Sequence, residues 1–321
     1  MIVLNEKDLR AALDMPACIA AMERAFVDLA NEAYFNPIRM RVKQDESSPN
    51  WMTLMPSMRT KGTRRWALKQ MVVCPANRKT GGDPLQGSVI LQDGDNGRIL
   101  AIADAPTLTE IRTAAVSGLA TKVLANKNAK TVAIIGVGIQ AGAHVSAMRT
   151  VLPNATIVAW GRNPDRVARF GEAHGVGIVD SLEAAVREAD VVCTATSATD
   201  PIIRREWIRP GCHLNAVGSS RSTHVELFPE TVAAASVFVD RREAALKESG
   251  DILGAIKAGL ISASHIQAEL GEVLVGHHPG RRSDDEFTLY KSLGLGTQDL
   301  AAIEAAVECA RAKGCGAELD W

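Results

Sequence analysis

A chain of 321 residues has room for two domains, and its 46% of apolar residues can build a core without disulfides. Lysine plus arginine (36) nearly cancel aspartate plus glutamate (37), and the net charge of −1 argues against a nucleic-acid or anionic-membrane surface. The six cysteines are scattered, with no Cys-x-x-Cys pair and no histidine at zinc spacing, so they read as small buried apolar residues and no metal site is expected. The opening MIVLNEKDLRAAL lacks the basic segment, apolar stretch and cleavage site of a secretory leader. No apolar run approaches the roughly 20 residues of a membrane span. The expectation is a soluble, cytoplasmic protein with no membrane partner.

Along the chain, Ile19, Met22, Phe26 and Leu29 recur at helical spacing, with Asp14 and Pro16 as a start signal. Strand-like runs follow at WMTLM (51–55), WALKQMVV (66–73), SVILQ (88–92) and RILAIA (98–103). The last two flank DGDNG, a hairpin signal, so this half predicts an antiparallel sheet. The pattern turns helical over 108–124. From Thr131 onward TVAII, TIVAW (156–160), VVCTA (191–195), HLNAV (213–217) and SVFVD (236–240) alternate with helical stretches, the mark of βαβ units and a parallel sheet. A helix over 299–313, ended by Gly314, follows that unit and is free to fold back onto the first domain. HHPGRRSDDE (277–286) reads as a polar surface connection. The fold class is therefore α/β: a Rossmann-type doubly wound parallel sheet over 113–295, and an antiparallel α+β domain over 1–112 completed by 296–321.

The stretch TVAIIGVGIQAGAHV (131–145) places Gly136, Gly138 and Ala141 in the pattern G-x-G-x-x-A between an apolar strand and a helix. Such a turn lets a diphosphate approach the backbone and meet the free N–H groups of the helix N-terminus. The second strand of the unit, TIVAW, runs into Gly161, Arg162 and Asn163, with Arg166 a turn later. No carboxylate waits at its tip to hold a ribose 2′-hydroxyl, and Asp165 reads as a helix-start residue. A guanidinium suits a 2′-phosphate, which favours NADP(H), with NAD(H) the other possibility.

Three cations stand out in the first half: Arg39 in NPIRM, Lys69 in WALKQ and Arg112 in TEIRTAA. Lys69 interrupts an apolar strand between Trp66, Leu68, Met71 and Val72. A buried lysine must find a partner or lose its charge, whereas a strand lysine can equally point to solvent, and alternation alone does not choose. His213, at the start of a strand, and His224, on a turn, read as structural.

The ordered segments PIR, LMP (54–56), LK (68–69), IRTAAVSGLATK (111–122), IIGVGIQA (134–141), HLNAVGSSR (213–221), EAALKESGD (243–251), AELGEV (268–273) and KSLGLGTQD (291–299) together resemble the ornithine cyclodeaminase and mu-crystallin family over nearly the whole chain. The final third is most similar to the mu-crystallin, or ketimine reductase, branch. The resemblance implies a homodimer in which the antiparallel domain serves substrate binding and dimerisation and the Rossmann domain binds the dinucleotide. It implies that Arg39, Lys69 and Arg112 bind a substrate carboxylate beneath the nicotinamide. Around the cofactor it implies Thr113, the turn of Gly136, Gly138, Ile139, Gln140 and Ala141, then Arg162, Asn163, Thr194, Thr196, Val217, Gly218 and Ser292.

Two departures select among activities. Cyclodeaminases carry an acidic residue two positions after the glycine of NAVG, where this chain has Ser220, and a glutamate just before LMP, where it has Thr53. A hydroxyl is no general base near neutral pH without an activating partner. The expected reaction is thus NAD(P)H-dependent reduction of cyclic ketimines, Δ1-pyrroline-2-carboxylate or Δ1-piperideine-2-carboxylate, to L-proline or L-pipecolate. Lys69 would act as proton donor or third anchor, and Ser220 would hydrogen-bond the substrate nitrogen or a water. Glu248 would either balance the cations or lie on a helix surface. The alternatives are another amino-acid redox enzyme of the family (alanine-dehydrogenase-like, N-alkyl amino-acid dehydrogenase or ornithine cyclodeaminase) and a non-catalytic NADP(H)-dependent binding protein.

Overall fold

The computed structural model describes residues 1–218 and 220–320, so Ser219 of the NAVGSSR stretch and Trp321 at the end of the 296–321 segment lie outside the described residues. The chain divides into two units, Met1–Arg112 with Leu295–Trp321, and Thr113–Gly294.

The first unit is built on one sheet of β1 (Ile2–Leu4), β2 (Tyr34–Phe35), β3 (Met40–Val42), β4 (Trp51–Arg59), β5 (Arg65–Val73), β6 (Leu85–Asp93), β7 (Ile99–Asp104) and the C-terminal strand Ala317–Glu318. Its order is C-terminal strand, β1, β7, β6, β5, β4, β2, with β3 also paired to β4. All pairings are antiparallel except β1 with β7, which run parallel. Side chains alternate between faces along a strand. Register therefore puts Met55, Lys69, Val89 and Ala103 in one row and Ser57, Ala67, Leu91 and Ala101 in the next, all buried. The C-terminal helix Gly296–Lys313 packs on the sheet, and the helix Met15–Ala30 packs against it. That second helix begins where the sequence signals it, with the Asp14 carboxylate accepting from the Ala17 N–H and a proline in the first turn. The opposite face carries Leu54, Pro56, Met58, Trp66, Leu68 and Ile90, exposed or half-buried.

The second unit holds β8 (Thr131–Ile135), β9 (Thr156–Trp160), β10 (Gly177–Ile178), β11 (Val191–Thr194), β12 (His213–Ala216), β13 (Ser236–Val239), β14 (Ile266–Glu269) and β15 (Thr288–Lys291). They form a wholly parallel sheet in the order β10, β9, β8, β11, β12, β15, β13, β14. Every residue of β11, β12 and β15 is buried, as expected of parallel strands covered on both faces. The chain winds outward from β8 to β10 and then resumes at β11 on the other side of β8. Strand order thus reverses between β8 and β11, the point at which open α/β sheets bind ligands. His213 lies inside this sheet, hydrogen-bonded to the Thr288 hydroxyl (2.9 Å) and Asn215 Oδ1 (3.3 Å), and burial holds its pKa down to about 3. Its role is structural.

Among the elements that differ from the sequence reading, three stand out. β15 is a central strand that the sequence pattern did not single out. The helix expected from residue 108 spans Ala105–Leu124, because the Asp104 carboxylate accepts from the Thr107 N–H at its start. The 277–286 connection is more than a surface loop: Arg281 donates to the carbonyls of Leu124, Cys212 and Glu286 and to the Thr288 hydroxyl, so it ties strand ends together.

Candidate active site

Lys69 sits at the centre of β5, on the face covered by the C-terminal helix, and is only 3% exposed. Its partner is Asp299 from the first turn of that helix, fully buried, with both carboxylate oxygens 2.9 Å from the ammonium. Arg112 joins them from the helix Ala105–Leu124. Its Nε donates to Asp299 Oδ1 at 3.0 Å and one terminal amine to Gln298 Oε1 at 2.9 Å. The other terminal amine has no hydrogen bond among the described residues. Since a guanidinium can only donate, Gln298 must turn its carbonyl toward it, which leaves Gln298 Nε2 buried and without a partner among the described residues. Lys69 also donates to the Thr109 hydroxyl at 3.3 Å.

The helix start that supplies Asp299 is placed by small details of sequence. A Cβ on Gly296 would come within 2.7 Å of the Pro56 carbonyl oxygen, so only glycine lets the helix end approach β4 this closely. Asn36 takes the place of an N-cap, its Oδ1 accepting from the Thr297 N–H (2.8 Å) and hydroxyl (3.0 Å). That contact anchors the segment 36–39, and Arg39 at its end lies close enough for its charge to act on Lys69.

The electrostatics follow from burial. Desolvation lowers the Lys69 pKa to about 7; Asp299 opposes the shift, while Arg112 and Arg39 add to it. With Lys69 protonated, Lys69 and Arg112 set two cations against the one carboxylate of Asp299. The cluster therefore has a place for one more anion, and an arriving carboxylate would pull the Lys69 pKa back up. Thr53, Met55 and Met71 share the Lys69 face of the sheet, whereas Met52 belongs to the other face.

In the second unit the glycine-rich turn follows β8. Gly136 has φ +121°, and a Cβ there would lie 2.5 Å from the Ala195 carbonyl oxygen, so both its conformation and its surroundings require glycine. Gly138 is the N-cap of the helix Ile139–Val151, has no side-chain cap, and faces open space where a Cβ would stand. Ala141 is buried inside that helix, while Ile139 is exposed. Free helix N–H groups beside an uncrowded glycine are what a diphosphate needs. At the tip of β9, Arg162 is exposed and has no partner among the described residues. Asn163 caps the helix Pro164–His174, its Oδ1 accepting from the Arg166 N–H, and Asp165 falls in the first turn.

Thr113 and Ser292 are buried, and the Ser292 N–H donates to the Ala216 carbonyl, as the Val217 N–H does to Thr194. Thr194 is fully buried, and its hydroxyl, like that of Thr196, donates to Glu226. Ser220 is half-buried in the connection after β12. Glu248 is buried at the end of the helix Arg242–Glu248, so of its two expected places the helix surface is excluded. Among the described residues no cluster of His, Cys, Asp or Glu is placed to hold a metal ion, and no helix is long and apolar enough to cross a membrane.

The sequence profile of the ornithine cyclodeaminase/mu-crystallin family matches residues 1–314. The chain belongs to that family. Among its relatives, the Delta(1)-pyrroline-2-carboxylate reductase of Bacillus cereus is 34% identical over the full length of both chains. The ketimine reductase mu-crystallin of Mus musculus is 41% identical over 221 residues, 68% of each chain. The structure of Thermococcus litoralis Delta(1)-pyrroline-2-carboxylate reductase in complex with NADH and L-proline superposes with a TM-score of 0.93 at 34% identity, covering 99% of this chain and 100% of that one.

Within this family frame, three residues of interest escaped the sequence reading. Asp299 and Gln298 close the KSLGLGTQD segment, and a carboxylate directly before the apolar run Leu300–Ile303 was the available signal. Glu226 lies in a polar connection with no periodic pattern around it, and nothing local distinguishes it from a solvated carboxylate.

Proposed function

We propose that the protein reduces cyclic ketimines, Δ1-pyrroline-2-carboxylate and Δ1-piperideine-2-carboxylate, to L-proline and L-pipecolate with NADPH or NADH. The observation that carries this reading is the buried cation cluster around Asp299, which has one anion too few, in a chain 34% identical throughout to a Delta(1)-pyrroline-2-carboxylate reductase. The free amine of Arg112, with Arg39, would bind the substrate carboxylate, and Arg112 is held in orientation by Gln298 and Asp299. A bound dinucleotide would supply the hydride for the C=N carbon. Lys69, with a pKa of about 7, is poised to keep the ring nitrogen protonated or to replace its proton, and Ser220 would hydrogen-bond that nitrogen. Because an iminium carbon next to a carboxylate already accepts hydride readily, the work of these residues is to hold the reactants in line.

The unit Thr113–Gly294 would be the dinucleotide domain, its diphosphate on the turn of Gly136, Gly138, Ile139, Gln140 and Ala141. The unpartnered Arg162, with Asn163 beside it, favours NADPH through contact with a 2′-phosphate. The unit Met1–Arg112 with Leu295–Trp321 would bind substrate and dimerise. The apolar sheet face of Leu54, Pro56, Met58, Trp66, Leu68 and Ile90 is the surface that a second copy would cover, in a homodimer of the cytoplasm.

The deciding experiment follows dihydronicotinamide absorbance with each ketimine, with and without ammonium, beside an assay of proline and ammonia from ornithine. Ketimine-dependent oxidation that needs no ammonium supports the reading. Strict ammonium dependence points to an amino-acid dehydrogenase, proline and ammonia from ornithine to a cyclodeaminase, and dinucleotide binding without any turnover to a binding protein.

A further inference from the structure

Three segments of the second unit, TAT (194–196), the KESGD of EAALKESGD and the lysine that ends β15, gather around the buried Glu226. We infer that Glu226 is a positioning residue for the nicotinamide half of the dinucleotide site, an inference that rests on the proposed dinucleotide-binding role of this unit. Glu226 Oε1 accepts from the Thr196 N–H (3.1 Å) and the Thr196 hydroxyl (2.7 Å). Its Oε2 accepts from the Thr194 hydroxyl (2.7 Å) and the Gly218 N–H (2.8 Å). Burial pushes the Glu226 pKa up, but four donors converging on its two oxygens, with Lys291 nearby, favour the ionised, acceptor-only carboxylate. Its four bonds join the connection after β11 to the connection after β12.

The carboxylate is itself held from behind. Asp251 Oδ1 accepts from the N–H groups of Glu226 (2.8 Å) and Leu227 (3.0 Å), and Asp251 Oδ2 lies 2.9 Å from the fully buried Lys291 ammonium at the end of β15. Two glycines make room for this arrangement. A Cβ on Gly218 would fall 2.2 Å from Glu226 Oε1, and one on Gly250 would fall 2.1 Å from the His224 carbonyl oxygen. Burying two carboxylates against one ammonium is costly, so the gain has to come from the geometry it enforces.

That geometry lies on a particular side of the sheet. A dinucleotide crosses the carboxyl ends of the strands at the reversal between β8 and β11, with its diphosphate on the turn after β8 and its adenosine ribose at the tip of β9. The other half of the molecule then falls to the ends of β11 and β12, the two that Glu226 joins. The 194–196 connection also abuts the glycine turn, since Ala195 is the residue that a Cβ on Gly136 would strike. Glu226 thus fixes the donors and carbonyls presented to the nicotinamide half while touching none of the adenosine half.

The test compares wild type with Glu226→Gln, whose amide nitrogen would face two of the four donors. Affinities are measured for the whole dinucleotide and for its fragment ADP-ribose or 2′,5′-ADP, with KM for dinucleotide and for ketimine. The expected result is a loss of tenfold or more in whole-dinucleotide affinity and a matching rise in its KM. Fragment affinity and ketimine KM should stay within about twofold of wild type. Equal losses of fragment and whole molecule, or no loss in a folded variant, overturn the inference. Wild type that binds neither molecule overturns the dinucleotide reading itself. Should Glu226→Gln fail to fold, Thr196→Val removes a single donor and should reproduce the same asymmetry at about threefold; its absence there also overturns the inference.

Discussion

Replacing Asp299 with asparagine tests the candidate site where its electrostatics are most exposed. The substitution keeps the shape and an acceptor oxygen but removes the single negative charge facing Lys69 and Arg112. At ion-pair separation and an effective dielectric near 20, one such pair is worth about 4 kcal/mol, or about 3 pK units at 1.36 kcal/mol each. The amide oxygen retains a hydrogen bond and water relaxes part of the rest, so we expect the Lys69 pKa to fall from about 7 by at least ~1 unit. At pH 7 the protonated fraction then drops from about one half to about one tenth, and kcat/KM for ketimine reduction falls about fivefold or more. The assay is the pH dependence of kcat/KM for both enzymes; the titration of the ketimine itself is common to both and cancels in the comparison. The alkaline limb should move acidward in Asp299→Asn and vanish in the Lys69→Met, Asp299→Asn double variant. A limb at the same pH in all three enzymes would refute the argument that Lys69 titrates under the control of Asp299.

Further outcomes follow from other contacts. Arg112→Met should raise the ketimine KM by tenfold or more while leaving dinucleotide KM unchanged, measured by steady-state kinetics. Arg162→Ser should weaken NADPH by about tenfold and spare NADH, so the ratio of kcat/KM for the two cofactors reports directly on the 2′-phosphate contact. His144 and His213 are buried with pKa values lowered to about 4 and about 3, mainly by desolvation. Because the unfolded chain binds protons at about 6.5, stability should be lost as pH falls from about 6.5 toward 4, at about 1.4 kcal/mol per unit for each histidine. Urea titrations across that range, repeated with His144→Gln, should show the slope diminish in the variant. Trp66 is 48% exposed on the apolar sheet face; if that face forms the proposed homodimer, light scattering should give a dimer mass for wild type and a monomer mass for Trp66→Asp.

Much of this architecture is legible in the sequence, for identifiable reasons. TVAII and TIVAW are apolar runs bounded by turns, and they form β8 and β9 with the same limits; β8 is buried from Val132 to Ile135, whereas β9 alternates buried Ile157 and Ala159 with half-buried Val158 and Trp160. Thr288–Lys291 has the same environment but ends in a lysine, and its burial depends on Asp251, forty residues away in the chain. No window of local sequence contains that information. Lys69 posed the same ambiguity: alternation along β5 permits either face, and the choice is made by Asp299, 230 residues later. Glu226 is the extreme case, a carboxylate whose partners Gly218, Thr196 and Thr194 lie 8, 30 and 32 residues away in the chain.

The sequence distance between Lys69 and Asp299 also has a consequence in time. Residues 113–294 form a compact unit of their own, so during synthesis residues 1–112 wait while some 180 more are added, roughly ten to forty seconds at ribosomal rates. Through that interval Lys69 and Arg112 have no carboxylate, and the sheet face around Met55 and Val89 has no helix to cover it. The nascent first unit is then most vulnerable to aggregation, and the helix Gly296–Lys313 is the one that closes it.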